Sequence, residues 1–195
     1  MTSREIIRKA AYEIFAVKGF SEATTENIAR AAGLQKQSLY SHYSSKNELF
    51  VDVVREQEAY IVSEIDEAIA ALKDMPTELM LKGIFEKFVD VFRDTKRLLF
   101  WKRIYIDLAD PAFADILKNM ELSFEKRLAR SLYQVAADKN IEVGGDRFED
   151  FLAFWFLAIQ GYQDWLILDI NGAGRFAAIW PFLWNGIKPC LEIKS

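Results

Sequence analysis

An all-α chain is what this sequence predicts, on three observations. Apolar residues recur at helical spacing in segment after segment. Nine glycines and four prolines in 195 residues are too few for a turn-rich β protein. No stretch alternates apolar and polar residues between turn signals, as a half-buried strand requires. A hydrophobic fraction of 51%, with 14% aromatic, is ample for one large core or two smaller ones.

Taken in order, Thr2-Ser3-Arg4-Glu5 offers a capping box, with Thr2 as cap and Glu5 reaching back. An amphipathic helix follows from Arg4 to Lys18, with Ile6, Ile7, Ala10, Ala11, Ile14 and Phe15 inward and Gly19-Phe20 closing it. Residues 25–46, TENIARAAGLQKQSLYSHYSSK, then read as two short helices joined by a tight turn. Thr25 is the expected N-cap of the first, and Ile28, Ala29 and Ala32 form its apolar face. Gly33 stands where helices commonly end in a left-handed residue, and Leu34 plugs the turn. The second short helix is expected over Gln35 to Tyr43, with Leu39 and Tyr43 inward. Its outer side carries Lys36, Gln37, Ser38, Tyr40, Ser41 and His42, a set of hydrogen-bonding groups suited to a DNA major groove.

Ser45-Lys46-Asn47-Glu48 reads as a capping box opening a helix over 46–73, whose stripe of Phe50, Val53, Val54, Ile61, Ile65, Ile69 and Leu72 outruns a three-helix head. We take it as a connector. After the break at Asp74-Met75-Pro76-Thr77, a helix over 77–93 places Leu81, Phe85, Phe88, Val89 and Phe92 inward. A short apolar helix spans Leu98 to Leu108. Asp110-Pro111 starts another, expected to reach about Asn140. Gly144-Gly145-Asp146 opens a helix from Arg147 to Ile170, closed by Asn171-Gly172. The last helix, about 175–188, contains Pro181 and is expected to kink there.

The layout AAYEIFAVKGFSEATTENIARAAGLQKQSLYSHYSSKNELF resembles the N-terminal domain of the TetR family of bacterial transcriptional regulators. The phrases TTENIARAAGL, SLYSHY and SKNELF carry the resemblance. Gln35 departs from the family's usual Ser, which leaves the second short helix a poor N-cap, and Gln37 stands where Gly or Pro is common. The resemblance implies a three-helix helix-turn-helix domain over 1–46. Residues 47–195 then form a helical bundle for ligand binding and dimerisation through the last two helices.

The implied activity is that of a DNA-binding repressor, released from a roughly palindromic double-stranded operator by a small effector. The alternative is a DNA-binding protein of the same fold that answers to a protein partner. DNA contacts are expected from Thr25, Lys36, Gln37, Ser38, Tyr40, Ser41 and His42. Lys46 joins them, where its ammonium and the helix-start amides together suit a phosphate. Phe88, Phe92, Trp101, Tyr105, Trp155 and Tyr162 are the candidate walls of an apolar or aromatic effector site, because buried indole N–H groups want partners.

The 147–170 helix is apolar on two faces. One face holds Phe148, Leu152, Trp155, Ile159, Tyr162 and Leu166. The other holds Phe151, Phe154, Ala158, Gly161, Trp165 and Leu168, and is favoured as the homodimer face with Trp180 and Trp184 of the last helix, the reverse assignment of the two faces staying open.

Charge agrees with this layout. Residues 1–46 hold seven Lys/Arg and four Asp/Glu, a net +3, while the whole chain is −4, leaving −7 on 47–195. A basic head on an acidic body is what a phosphate-facing end requires. A single histidine, His42, and a single cysteine, Cys190, form no metal-ligand set and no intramolecular disulfide. No nucleophile motif or Gly-rich phosphate loop is present, so the reading is not an enzyme and calls for no metal or cofactor. The longest apolar run, Phe151 to Ile159, is too short for a bilayer, and no signal-peptide core opens the chain. A cytoplasmic protein is expected.

Overall fold

The capping and periodicity signals build ten α-helices in a computed structural model that describes residues 1–107, 109, 111–120, 123–139, 141, 146–168 and 172–191. They are α1 (Ser3–Glu22), α2 (Thr25–Ala31), α3 (Lys36–Tyr40), α4 (Lys46–Leu72), α5 (Thr77–Phe92), α6 (Thr95–Asp107), α7 (Pro111–Met120), α8 (Ser123–Asp138), α9 (Asp146–Ile167) and α10 (Gly172–Ile187). A 3-10 turn, Lys188–Cys190, follows. No helix among the described residues is long and apolar enough to cross a membrane.

Several boundaries differ from expectation. The helix expected over 111–140 is two helices, α7 and α8, the second starting at Ser123. Gly172 opens α10 instead of closing α9, which ends at Ile167, and Pro181 is accommodated within α10, which runs on to Ile187. Gly144, Gly145 and Asn171 lie outside the described residues.

The chain divides into two compact units. The first holds residues 1–60 and 94–123, the second 61–93 and 124–195. The expected division at residue 46 followed function. Packing instead places α6 and α7 with the N-terminal helices and gives each unit a stretch of the continuous helix α4.

In the first unit, the Thr2–Glu5 capping box forms in both directions. Ile7, Ala10, Ala11 and Phe15 are buried, whereas Ile6 and Ile14 are only half-buried. The expected break falls at Gly19, with φ +77°, after which the chain regains helical form to Glu22. Only glycine suits the site on two counts: the left-handed φ, and the fact that a Cβ would lie 2.8 Å from Oδ2 of Asp107. That oxygen accepts the Phe20 amide at 2.6 Å, so the C-terminus of α6 clamps the kink in α1. Arg103 of α6 donates to the Val17 carbonyl at 3.1 Å, and Lys96 pairs with Glu13. Between these elements five rings interlock. Phe50 meets Phe15, Phe20 and Phe113 at centroid distances of 5.2, 5.0 and 5.2 Å, and Phe100 at 6.2 Å.

In the second unit, every residue expected to face inward from α5 (Leu81, Phe85, Phe88, Val89 and Phe92) is buried. Phe85 is central, edge-on to Trp155 at 5.4 Å and stacked on Phe176 of α10 at 5.2 Å. Polar ties close the periphery: Lys87 to Glu64, Ser131 to Asp66 at 2.7 Å, and Lys139 to the Met75 carbonyl at 2.8 Å.

Candidate nucleic-acid interface

The turn between α2 and α3 is built from local chemistry. The N-cap of α2 is Thr24, one residue before the expected Thr25. The Thr24 hydroxyl accepts the Asn27 amide at 3.1 Å, which makes Thr25 the first helical residue. At the other end, Gly33 takes φ +69°. Its amide donates to the Arg30 carbonyl at 3.1 Å, and the Leu34 amide donates to Ala29 at 2.9 Å. These two bonds form a Schellman motif, which satisfies the orphan carbonyls and redirects the chain into α3.

Gln35 caps α3 without a side-chain bond, as its amide chemistry predicts. The helix ends at Tyr40, three residues earlier than expected. Leu39 is fully buried and anchors it. Tyr43 is also buried, but from the loop beyond the helix, where its hydroxyl donates to Asp52 of α4 at 2.6 Å. Arg4 of α1 stacks on the Tyr43 ring, 4.6 Å from its centroid, and pairs with Asp52 at 3.3 Å. The trio joins α1, the loop after α3 and α4.

Burial opposes ionisation of Asp52, but the Tyr43 hydrogen bond and the Arg4 and Arg8 guanidinium groups outweigh it and hold its pKa below the ordinary value. Burial first, then the hydrogen bond to Asp52 and its charge, push the Tyr43 hydroxyl up to about 12. A phenol whose pKa rises on folding stabilises the fold fully below its unfolded value, near 10, and loses that contribution as pH climbs toward 12. Chemical denaturation should therefore show stability falling between pH 10 and 12, and less steeply in Tyr43→Phe. An identical slope in parent and variant contradicts the assignment.

Of the expected contact residues, Lys36, Gln37, Tyr40 and Ser41 are exposed on or just after α3. The Tyr40 hydroxyl lies 3.3 Å from the Thr25 hydroxyl, which bridges the two short helices on their outer side. The Ser41 hydroxyl turns back to the Ser38 carbonyl at 2.7 Å, and Ser38 and His42 are half-buried.

Lys46 is placed differently from expectation. Its ammonium donates to the carbonyls of Phe20 and Ala23, at 2.8 and 3.0 Å, and sits 4.2 Å from the centroid of the Phe20 ring. Those carbonyls follow the kink in α1, where they lack helical partners, and the cation satisfies them. At the same helix start, Ser45 accepts the Glu48 amide at 3.1 Å. The Glu48 carboxylate reaches Ser44, not the cap residue itself, accepting from its amide at 2.8 Å and its hydroxyl at 2.7 Å. Two features escaped the sequence reading: the Asp52–Tyr43–Arg4 trio and the Asn27–Arg30 bond of 2.7 Å on α2. Only the second has a local signal, its spacing of three.

The candidate effector residues fall into both units. Trp101 is buried against Phe100 and Tyr105 is largely exposed, both in the first unit. Phe88, Phe92, Trp155 and Tyr162 are buried in the second. There the indole N–H groups of Trp155 and Trp180 are buried without an acceptor among the described residues. A groove of about 220 Å³ runs between α9 and α10, lined by Ala158, Gly161, Trp165, Ile179 and Leu183 with Phe85 and Tyr162 at its base.

On the second face of α9, Phe151 turns into the core, while Phe154 and Trp165 are each 38% exposed and Leu168 is 62% exposed. Trp180, expected at the same interface, is 4% exposed and packs on Phe176. Trp184 is half-buried and stacks on Trp180.

A Schellman-closed helix pair presenting a short polar helix, carried on an all-helical scaffold, defines a helix-turn-helix protein. Residues 7–53 match the family described as bacterial regulatory proteins, tetR family. The match spans the helix-turn-helix region, from within α1 to the first turns of α4. It is similar to the HTH-type transcriptional activator FasR of Mycolicibacterium smegmatis, at 35% identity over 81 residues, 42% of this chain and 36% of that one. A TetR-family transcriptional regulator from Rhodococcus sp. superposes with a TM-score of 0.70 at 17% identity, over 97% of this chain and 98% of that one. The fatty acid degradation regulator FadR from Bacillus halodurans does so with 0.68 at 17%, over 94% and 95%. The two structural likenesses are of fold. The matches span 36%, 23% and 32% of the lengths of the curated relatives FasR, MftR of Mycobacterium tuberculosis and YerO of Bacillus subtilis.

Proposed function

We propose that the chain is a homodimeric DNA-binding transcriptional regulator acting in the cytoplasm, a repressor released from its operator by a small apolar or aromatic effector. One observation supports this reading above the others. Leu39 and the Schellman turn anchor α3, which turns Lys36, Gln37 and Tyr40 outward together. Exposed long polar side chains on a rigid short helix suit base-edge and phosphate contacts in one major groove. Two such helices in a dimer read half-sites about 34–36 Å apart, or a multiple of that, so a roughly palindromic operator follows. Lys46 then serves by holding the α1–α2 connection, and the phosphate contacts pass to the exposed Lys36 and Tyr40 and to the half-buried Thr25. The test is a binding-site selection with parent and Gln37→Ala. The variant should lose about 1–3 kcal/mol on the selected site and relax preference at one base pair per half-site. An unchanged preference makes Gln37 a spectator.

The dimer reading rests on large apolar side chains exposed on α9, just beyond it and on α10, where Leu157, Leu168 and Phe182 are 68%, 62% and 78% exposed. Apolar side chains left in water are costly and suit an isologous partner. Gly161 has open space around its Cα, which admits a close neighbour. Sedimentation should show a dimer at micromolar concentration, with Trp165→Asp shifting it toward monomer. A parent that sediments only as monomer removes the dimer and with it the palindrome.

A further inference from the structure

Gly19 interrupts α1, and a break in a helix leaves backbone groups on both sides without helical partners. Side chains from two other helices answer them. Before the break, Arg103 of α6 donates to the Val17 carbonyl at 3.1 Å. After it, Asp107, one turn further along α6, accepts the Phe20 amide at 2.6 Å. Lys46 of α4 then takes the Phe20 and Ala23 carbonyls, at 2.8 and 3.0 Å. Thr24, the next residue, caps α2. The joint therefore lies directly upstream of the helix pair that presents α3, and all its residues belong to the first unit.

Local preference gives no reason for this arrangement. Asp107 is the last residue of α6. A carboxylate there faces the negative end of the helix dipole, which disfavours it. The Phe20 amide supplies what the helix does not, a charge-assisted hydrogen bond in a part-buried setting. Gly19 is fitted to the same contact, since a Cβ at this position would lie 2.8 Å from Oδ2 of Asp107. Arg103 and Asp107 stand four apart, on one face of α6, and straddle the break in α1.

We propose that Arg103 and Asp107 are positioning residues for DNA reading: they fix the angle at which α2 and α3 leave α1, without touching DNA themselves. This rests on the DNA-binding reading given above. The angle matters for sequence-specific binding. Base-edge contacts need the outward side chains of α3 at hydrogen-bond distance in the groove, whereas charge attraction to phosphates carries non-specific binding. Opening the joint therefore lowers the ratio of operator to non-specific affinity. The sign of the effect separates this from direct electrostatics. Removing the Asp107 carboxylate takes away a negative charge, which by itself strengthens attraction to DNA. Loosening the joint weakens operator binding instead.

The probes are the duplex recovered by binding-site selection with the parent chain and a random-sequence duplex of equal length. Both are titrated by fluorescence anisotropy in one buffer, well below the melting temperature of every variant. Asp107→Ala should lower the affinity ratio about tenfold, the scale of one charged hydrogen bond. Asp107→Asn, which drops the charge but keeps an acceptor for the Phe20 amide, should hold the ratio within about twofold of the parent. Arg103→Met, which keeps side-chain length without the donor, should lower it as Asp107→Ala does. Arg103 makes its bond at the surface, so Arg103→Met carries the test if Asp107→Ala does not fold. Ile84→Ala empties a buried position of the second unit, and should melt lower yet keep the ratio. A folded Asp107→Ala or Arg103→Met chain with the parent's ratio overturns the proposal. So does a ratio that falls as far in Ile84→Ala or Asp107→Asn as in Asp107→Ala. A parent that selects no sequence removes the DNA reading and this proposal together, which tells the two failures apart.

Discussion

Phe50→Ala is expected to cost about 3–5 kcal/mol, enough to leave a domain of ordinary stability, about 5–15 kcal/mol, close to unfolding. Phe50 is 1% exposed and touches rings from four directions: Phe15 and Phe20 of α1, Phe100 of α6 and Phe113 of α7. Removing it leaves a cavity that these rings cannot all collapse into, because each is also tied to another. Phe20 is additionally bound through its amide to Asp107, and its carbonyl is held by Lys46. The loss therefore reaches the helix pair that presents α3. Urea denaturation of parent, Phe50→Leu and Phe50→Ala gives the measurement. The Leu variant should fall between the others, and operator affinity should follow stability. A loss under about 1 kcal/mol for the Ala variant is incompatible with a central role for this ring.

Effector and operator are expected to weaken each other's binding by the same factor, about 5–150-fold, the range of a 1–3 kcal/mol coupling. The proposed effector site lies within the second unit. There Trp155 sits beside Phe85, and the Trp155 and Trp180 indole N–H groups await an acceptor. A molecule with an apolar or aromatic body and one carbonyl or hydroxyl oxygen answers that chemistry. α4 is one unbroken helix with residues in both units, and so is the continuous element able to carry a change from one to the other. Any effector found by screening apolar and aromatic metabolites should quench tryptophan emission, and the titration is then run with and without operator DNA. Trp155→Phe, which keeps an aromatic ring but removes the N–H, should weaken the effector and leave DNA affinity in its absence unchanged. Equal effector affinity with and without DNA refutes the switch.

Local sequence by itself determined most of the helices and several of the joints between them. Thr2 and Glu5 start α1 because a hydroxyl and a carboxylate three residues apart satisfy each other's orphan amides. Gly19 and Gly33 mark turns because each takes a left-handed φ that other residues resist. Helical spacing alone put Ile7, Phe15, Leu39, Phe85 and Phe88 on buried faces, and the outward set on α3 was legible for the same reason.

Tertiary structure decided what each face meets. Local pattern pointed to Thr25 as the cap of α2, and backbone geometry places it one residue earlier, at Thr24. Tyr43, four residues after Leu39, looks helical, but Asp52 draws it in from a loop and α3 stops at Tyr40. Lys46 looks like a phosphate ligand until the unsatisfied carbonyls of Phe20 and Ala23 arrive beside it from more than twenty residues away. Trp101 and Trp155 look alike in sequence, yet they belong to different units. Trp180 turns inward while Phe182, two residues on, faces out. Spacing fixes which side chains share a helix face, because that geometry repeats every few residues. The partner of that face is set by packing between distant segments, where shape and unsatisfied polar groups compete and no local pattern records the outcome.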